Sequence, residues 1–222
     1  MNKVALNFRN IFFKITFLIS TLNVLLLFSA CRENSLDPPY IQTVSGREFS
    51  DSGAIWLTHE HVLVDFIGAD SISDDRWDRK KVIGEVLPYL EDLNSHDVVY
   101  FVDATPAYLG RDAGLLVELS ELTGLRIITN TGLYGARGNK FVPDYALSMS
   151  PVDLSDMWIA EFRKGIGGGA VKPGFIKISV DASDTLHPVH LKLVSAAALT
   201  LSCTDTVCVD LSLDLLYDHL VI

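Results

Sequence analysis

Residues 55–61 have the sequence IWLTHEH, a short apolar segment that ends in two histidines one residue apart. Short segments of this kind, rich in β-branched and aromatic residues, predict β-strands. Side chains two positions apart on a strand face the same side, so His59 and His61 should lie together while Glu60 points away. Neutral imidazole nitrogens suit Zn²⁺ and similar metals. The segment therefore predicts metal ligands at the carboxyl end of a strand, and ordinary surface or core histidines are the alternative.

Apolar segments of the same kind recur along residues 41–200, and longer amphipathic segments separate them. We predict strands at 54–58, 98–103, 126–130 and 174–180, and helices at 75–93, 112–123, 153–164 and 187–199. This alternation is typical of βαβ units on a parallel sheet. Four such units fit half of a (β/α)₈ barrel as well as a small open sheet, and the pattern does not choose between them.

A single lysine, Lys177, lies within the apolar strand predicted at 174–180. Burial disfavours the charged form of a lysine and leaves a nucleophilic neutral amine. Such an amine can take up CO₂ and become a carbamate, whose two oxygens can bridge two metal ions. The alternative is a side chain that extends along apolar surface to reach solvent. Lys177 is therefore a second candidate for metal binding, provided that the fold buries it.

The first thirty residues differ in kind from the rest of the chain. Lys3, Arg9 and Lys14 precede an apolar run at 15–30, which is the layout of a secretory signal and is shorter than a permanent membrane helix. Residues 27–31, LFSAC, resemble a bacterial lipobox in which Cys31 is lipidated; an ordinary cleavage site nearby is the alternative. We expect a lipoprotein-type signal peptide at 1–30, a tether at 31–40, and an exported protein anchored in a membrane and facing the periplasm or cell exterior.

The chain has 222 residues with 18 Lys and Arg against 28 Asp and Glu, a net charge of −10. This acidic balance argues against a nucleic-acid partner. The three cysteines lack the spacing of a zinc finger or a thioredoxin-type motif, and a disulfide between Cys203 and Cys208 stays open. Nothing in the composition indicates an oligomeric state.

Three further segments carry weaker signals. The glycine-rich segment at 165–169 follows a predicted helix and precedes a strand, the reverse of a dinucleotide-binding motif, so we predict a helix stop and turn. Residues 133–150 are predicted as a long loop, placed where barrel enzymes carry substrate contacts. Residues 201–222 contain no Lys or Arg and are predicted as an atypical tail, either an acidic strand pair or sequence read out of frame. His187 and His190 are predicted to be exposed.

Several motifs occur together in a characteristic order along residues 41–200. They are QTVSG at 42–46, His59-Glu60-His61, residues 103–106 with Gly110-Arg111-Asp112, Thr131-Gly132, and Phe175-Ile176-Lys177. In combination they resemble the phosphotriesterase-like family of the amidohydrolase superfamily. The resemblance implies an α/β fold of the (β/α)₈ TIM-barrel type, truncated here to about the first four β/α units. Asp103, Arg111 and Asp112 are left outside the site, because such residues at strand and helix ends are commonly structural.

The resemblance also implies a site for two divalent metal ions, usually zinc. His59 and His61 match ligands of the more buried metal, and Lys177 matches the carboxylated lysine that bridges the two ions. Metals bridged in this way supply hydroxide at neutral pH for attack on a phosphoester or lactone, so a small-molecule ester is the implied substrate.

Some of the family's pattern is missing from this sequence. The family also supplies a histidine from strand five, a histidine from strand six and an aspartate from strand eight, and none has a counterpart here. His219 is the only histidine after His190, and its context does not match. We therefore leave the catalytic residue unknown and expect an N-terminal half that is inactive as this chain; a non-catalytic, lipid-anchored binding fragment is the alternative.

Overall fold

The computed structural model describes residues 40–49, 53–183, 185–204 and 208–214, the last of these by backbone alone. All lie in one of the chain's two compact units, Pro39–Ile222. The predicted signal peptide, the tether up to residue 39, Cys31 and His219 are outside the described residues. None of the helices within the described ranges has the length and apolar character needed to cross a membrane.

The described chain alternates strands and helices. The strands are β1 Tyr40–Thr43, β2 Gly46–Phe49, β3 Ile55–Glu60, β4 Val98–Asp103, β5 Arg126–Ile128, β6 Asn130–Thr131, β7 Phe175–Asp181 and β8 Cys208–Asp214. The helices are α1 Arg79–Ser95, α2 Ala113–Thr123, α3 Asp144–Ser148, α4 Pro151–Lys164 and α5 Pro188–Ser202, with 3₁₀ turns at Asp74–Arg76 and Ile166–Gly168. The four predicted strands and the four predicted long helices are all present.

The strands that follow the β1–β2 hairpin pair in parallel. One set has the order β3-β4-β5 and the other β6-β7-β8. β5 and β6 are consecutive pieces of the strand predicted at 126–130, interrupted at Thr129. Helices α1, α2, α4 and α5 each connect one parallel strand to the next. The predicted series of four β/α units is therefore confirmed.

β8 continues the parallel sheet beyond residue 200. It pairs with β7 along its whole length, from Phe175 opposite Cys208 to Asp181 opposite Asp214. Within the predicted tail, residues 201 and 202 end α5, and residues 208–214 form one strand of the same sheet, whereas one of the two predictions was a strand pair. Alternation of polar and apolar residues is equally compatible with either arrangement, because it reports only the two faces of a strand.

Two faces of the sheet carry different core residues. On the outer face, side chains of β4, β5 and β7 pack against the helices; these residues include Phe101, Ile127, Ile176 and Ile178. On the inner face, Tyr100, Ile128 and Phe175 form a separate cluster. Successive residues on a strand point to opposite faces, so Lys177 shares the inner face with Phe175.

The β1–β2 hairpin packs against the amino end of β5. The backbone N–H of Val44 donates to the carbonyl of Ile127 at 2.8 Å, and Arg126 forms an ion pair with Glu48 at 2.6 Å. The hairpin contains the QTVSG segment singled out in the sequence. Its residues therefore position the start of the sheet.

Helix boundaries follow the capping residues more closely than the apolar periodicity. α4 begins at Pro151, two residues earlier than predicted, because Ser150 and Asp153 form a reciprocal capping box and Pro151 suits the first helical position. α1 begins at Arg79 rather than 75, because Asp78 caps it by accepting from the backbone N–H of Lys80 at 2.9 Å. The glycine-rich segment ends α4, with Gly165 at φ 93°, as predicted.

Asp112 has the structural role predicted for it. Its carboxylate caps α2 by accepting from the N–H of Leu115 at 3.0 Å, and it also accepts from Trp77 Nε1 at 2.9 Å and Arg79 Nε at 2.7 Å. Burial works to raise the pKa of Asp112, but the hydrogen bonds from Arg79, Trp77 and Leu115 outweigh it and hold the pKa below its ordinary value.

Candidate metal centre

The two histidines of the IWLTHEH segment lie side by side at the carboxyl end of β3. The centroids of the His59 and His61 rings are 5.3 Å apart, with an angle of 75° between the ring planes. Both residues are exposed. β3 departs from regular pairing with β4 between Leu57 and Glu60, so the histidines occupy an irregular end of the strand. Their proximity is the arrangement that the alternating pattern predicts.

Thr105, just beyond the end of β4, binds one of the two imidazoles. Its hydroxyl Oγ1 lies 2.9 Å from His61 Nδ1, and the residue is only 1% exposed. Thr105 is not among the candidate site residues predicted from the sequence. The sequence feature that could have identified Thr105 is its hydroxyl, two positions after Asp103, where the carboxyl ends of neighbouring parallel strands meet.

Asp103 lies behind Thr105 and is 2% exposed. It accepts from the backbone N–H of Thr105 at 2.8 Å, and the Thr105 side chain and the backbone of Val62 also favour its ionised form. Burial raises the pKa of Asp103 to about 6, and these hydrogen bonds and the charge of Arg111 oppose that rise. His61, Thr105 and Asp103 therefore form a continuous chain of polar groups from the exposed imidazole into the interior.

Asn130 ties this chain to the neighbouring strand. Its Nδ2 donates to the carbonyls of Asp103 at 3.0 Å and Thr105 at 2.9 Å. Arg111 in turn donates to the carbonyl of Asn130 at 2.6 Å and pairs with Glu161 at 3.2 Å. This network joins the ends of β4 and β6 and fixes the backbone that carries Thr105. Arg111 thus acts at a distance from the histidines, which agrees with leaving it outside the site.

Lys177 is buried in β7, with 1% of its surface exposed. Its neighbours Ile176 and Ile178 pack against the helices. Lys177 therefore lies on the inner face of the sheet, two residues after Phe175, which faces the same side. The alternative, in which the side chain extends to solvent, does not describe this residue. Lys177 is therefore buried, as metal binding through a neutral amine requires, while its role as a ligand stays a prediction.

The predicted exposure is wrong for one of the two histidines near α5. His190 is 1% exposed, and its Nε2 donates to the carbonyl of Gly135 at 2.8 Å. It lies in the first turn of α5, which packs under residues 133–150, and the sequence alone does not show that contact. The loop predicted at 133–150 contains the short helix α3. His187 is exposed as predicted and caps α5 by accepting from the N–H of Val189.

The donor groups of the described residues suit a divalent metal only as a partial set. Within the described ranges, no three His, Cys, Asp or Glu side chains converge in a way that could hold a metal ion. His59, His61 and Lys177 are the candidates that the described residues offer, and imidazole nitrogens with a carbamate oxygen match the preferences of zinc. The donor chemistry therefore fits zinc, and His59, His61 and Lys177 as its ligands stay a prediction.

The raised pKa of Asp103 predicts an unusual pH dependence of stability. Between pH 3.8 and about 6 the folded protein holds a proton on Asp103 that the unfolded chain releases, so this residue stabilises the fold as the pH falls. Relative to Asp103→Asn, the wild type should gain about 2 kcal/mol of unfolding free energy between pH 7 and pH 4. Urea unfolding of both proteins at the two pH values measures the difference. A gain that runs in the opposite direction would show that Asp103 has a depressed pKa.

Comparisons with known proteins connect this geometry to a family. A profile of the phosphotriesterase family matches residues 39–208. The phosphotriesterase homology protein of Escherichia coli (strain K12) is 28% identical over 143 residues, which cover 64% of this chain and 47% of that protein. The aryldialkylphosphatase of Saccharolobus solfataricus is 33% identical over 98 residues, covering 44% of this chain and 30% of that protein.

A solved structure extends the likeness to three dimensions. The organophosphorus hydrolase of Deinococcus radiodurans aligns with a TM-score of 0.69 and 26% identity, over 79% of this chain and 54% of that one. The chain thus spans about half the length of the relatives that it matches. The predicted α/β fold, a (β/α)₈ barrel represented by part of its units, is confirmed. With a family match over most of its length, the protein belongs to the phosphotriesterase family.

Proposed function

We propose that this protein derives from zinc-dependent hydrolases that cleave ester bonds in small molecules such as organophosphates or lactones. The observation that supports the proposal most directly is the pair of imidazoles at the end of β3, 5.3 Å apart, in a chain of the phosphotriesterase family. His59 and His61 would bind zinc through ring nitrogens. Lys177, carboxylated by CO₂, would bridge two zinc ions. Bound zinc would supply hydroxide for attack on the ester at neutral pH.

The residues of this chain would prepare that site in two ways. The network of Asp103, Thr105 and Asn130 holds the end of β4 against His61. The strand pairing of β7 on both sides holds Lys177 on the inner face. A preorganised set of donors loses little entropy when the ligand binds. The described residues supply three candidate ligands, so we propose that this chain alone holds zinc weakly and does not turn over substrate.

Zinc titration of the 222-residue protein tests this proposal. We expect less than one tightly held equivalent of zinc, and we expect His59→Asn with His61→Asn to remove the binding, because both imidazole donors are lost. Isothermal titration in bicarbonate-containing buffer measures both. As a matched control, His96→Asn changes an exposed histidine at the carboxyl end of α1 and should leave the titration unchanged.

Hydrolysis assays complete the test. A chromogenic phosphotriester and a lactone should show no turnover above the buffer rate with this chain. Zinc binding that survives the double histidine variant would refute the assigned ligands. Two tightly held equivalents with measurable turnover would instead show a working enzyme. The alternative, a lipid-anchored binding fragment, rests on residues 1–40 alone; it requires that the wild type fractionate with membranes and that Cys31→Ser release it.

A further inference from the structure

The hydrogen bond between His61 and Thr105 has a direction that the surrounding groups decide. A threonine hydroxyl has one proton to donate, and its oxygen can accept. The Asp103 carboxylate accepts from the backbone N–H of Thr105 at 2.8 Å, and the Thr105 side chain lowers the pKa of that carboxyl, as a donor to its ionised form does. The proton of Thr105 is therefore directed to Asp103. The oxygen of Thr105 is then the acceptor at 2.9 Å from His61, and Nδ1 of His61 must carry the donated proton.

The position of Thr105 leaves little freedom for another arrangement. Thr105 and Asp103 are 1% and 2% exposed, so water has little access to replace either partner. The backbone N–H of Thr105 is bound to Asp103 at 2.8 Å, and its carbonyl is bound to Asn130 at 2.9 Å. The hydroxyl is thus presented to His61 from a backbone fixed on both sides. Side chains held in this way orient a ligand more accurately than flexible surface groups.

The tautomer of His61 follows from this geometry. A neutral imidazole with its proton on Nδ1 has its lone pair on Nε2, and a metal binds only the nitrogen that has the lone pair. We propose that Thr105, oriented by Asp103, is a positioning residue that fixes His61 in the Nδ1–H tautomer and so aims Nε2 at the metal. The inference deepens the proposed function and rests on it for the metal, although the tautomer itself is a property of the metal-free chain.

Magnetic resonance of the metal-free protein with isotopically labelled histidine tests the inference. At pH 8, the nitrogen and carbon shifts of His61 in the wild type should report the Nδ1–H form. Thr105→Val keeps the shape of the side chain but removes the hydroxyl, so the ring should shift toward the Nε2–H form that is favoured in water. Thr105→Ser should restore the wild-type shifts, since it restores the donor and acceptor.

Zinc affinity provides the second measurement. Thr105→Val should weaken zinc binding about 10- to 100-fold in competition with a chromophoric chelator, the usual effect of losing the partner of a ligating histidine. Thr131→Val is the matched control. Thr131 is also 1% exposed and ends the adjacent strand β6, but its hydroxyl has no hydrogen-bond partner among the described residues. This control should change neither the His61 shifts nor the affinity.

The outcomes separate this inference from the proposed function. An Nε2–H form of His61 in the wild type would overturn the inference, even if Thr105→Val failed to fold. Unchanged shifts and zinc affinity in a folded Thr105→Val protein would overturn it as well. If the tautomer changes as expected but no variant binds zinc, the positioning role stands and the metal site of the proposed function fails.

Discussion

Lys177→Met is expected to weaken zinc binding more than 100-fold without lowering the stability of the metal-free protein. A change behind a metal ligand already costs about 10- to 100-fold, so loss of a bridging ligand should cost more. Lys177 is 1% exposed on the inner face of β7. Burial of its amine is unfavourable unless polar partners compensate. Methionine has a similar unbranched shape, so it fills the space without leaving a cavity.

A loss of zinc affinity without a loss of stability distinguishes a functional lysine from a structural one. Residues retained for chemistry are often neutral or costly for stability, and their replacement then leaves the fold at least as stable. We expect the unfolding free energy of metal-free Lys177→Met to stay within about 1 kcal/mol of the wild type or to rise. Urea unfolding and chelator competition measure the two quantities on the same preparations.

Ile178→Met is the matched control for this experiment. Ile178 is 1% exposed, adjacent in β7, and packs on the helix face rather than the inner face. Its replacement should cost less than about 1.5 kcal/mol and leave zinc affinity unchanged. A Lys177→Met protein that loses several kcal/mol of stability and keeps its zinc would show that the amine supports the core. The carbamate hypothesis also requires that removal of bicarbonate weaken zinc binding in the wild type only.

The four strand segments predicted from the sequence lie within two residues of their observed bounds because polar residues bound their apolar runs, whereas β1 and β2 were not predicted. β4 was predicted with its observed bounds, Val98–Asp103, since its apolar run stops where the polar loop begins. The interruption of the third strand at Thr129 was not predictable. Apolar periodicity reports which residues are buried. The break instead lies where the pairing changes, since β5 pairs with β4 and β6 pairs with β7.

The histidine pair and the buried lysine were predictable, while the group that orients His61 was not. A spacing of two residues on one strand brings His59 and His61 together by local geometry alone. The contact between His61 and Thr105 joins residues 44 positions apart and depends on how β3 and β4 align at an irregular strand end. His190 shows the same limit, because its burial comes from the carbonyl of Gly135 in a distant loop.

Gly132→Ala is expected to destabilise the protein by at least about 4 kcal/mol, among the largest effects of a single substitution. Gly132 follows β6 and has φ of +108°, a conformation that non-glycine residues rarely adopt. A Cβ built at this position would lie 2.0 Å from the carbonyl oxygen of Lys177. Backbone strain alone costs about 1–3 kcal/mol, and the overlap requires β6 and β7 to separate.

The neighbouring strand cannot move away without breaking other interactions. β7 pairs with β6 on one side and β8 on the other, and the bond from the N–H of Gly135 to the carbonyl of Ser179 at 2.9 Å extends the contact beyond β6. Each hydrogen bond lost from a buried sheet costs about 1–3 kcal/mol when its partners stay unsatisfied. The overlap should therefore be relieved by partial unfolding rather than by a small shift.

Substitutions at two other glycines separate the cost of backbone strain from the cost of the overlap with Lys177. Gly124 ends α2 with φ of +75° but has open space around a built Cβ, so Gly124→Ala should show the backbone cost alone, about 1 kcal/mol. Gly84 lies exposed within α1, also in open space, and Gly84→Ala should stabilise the protein by up to about 1 kcal/mol. Urea unfolding of the three variants gives the comparison.

If Gly132→Ala costs no more than Gly124→Ala, then β6 does not approach the backbone of Lys177 as closely as the structure shows. The close approach also links the fold to the candidate metal centre, because the oxygen that an added Cβ would meet belongs to Lys177 itself. Any Gly132→Ala protein that remains folded must have displaced β7 at that residue. It should therefore bind zinc more weakly than Gly124→Ala, in which Lys177 keeps its position.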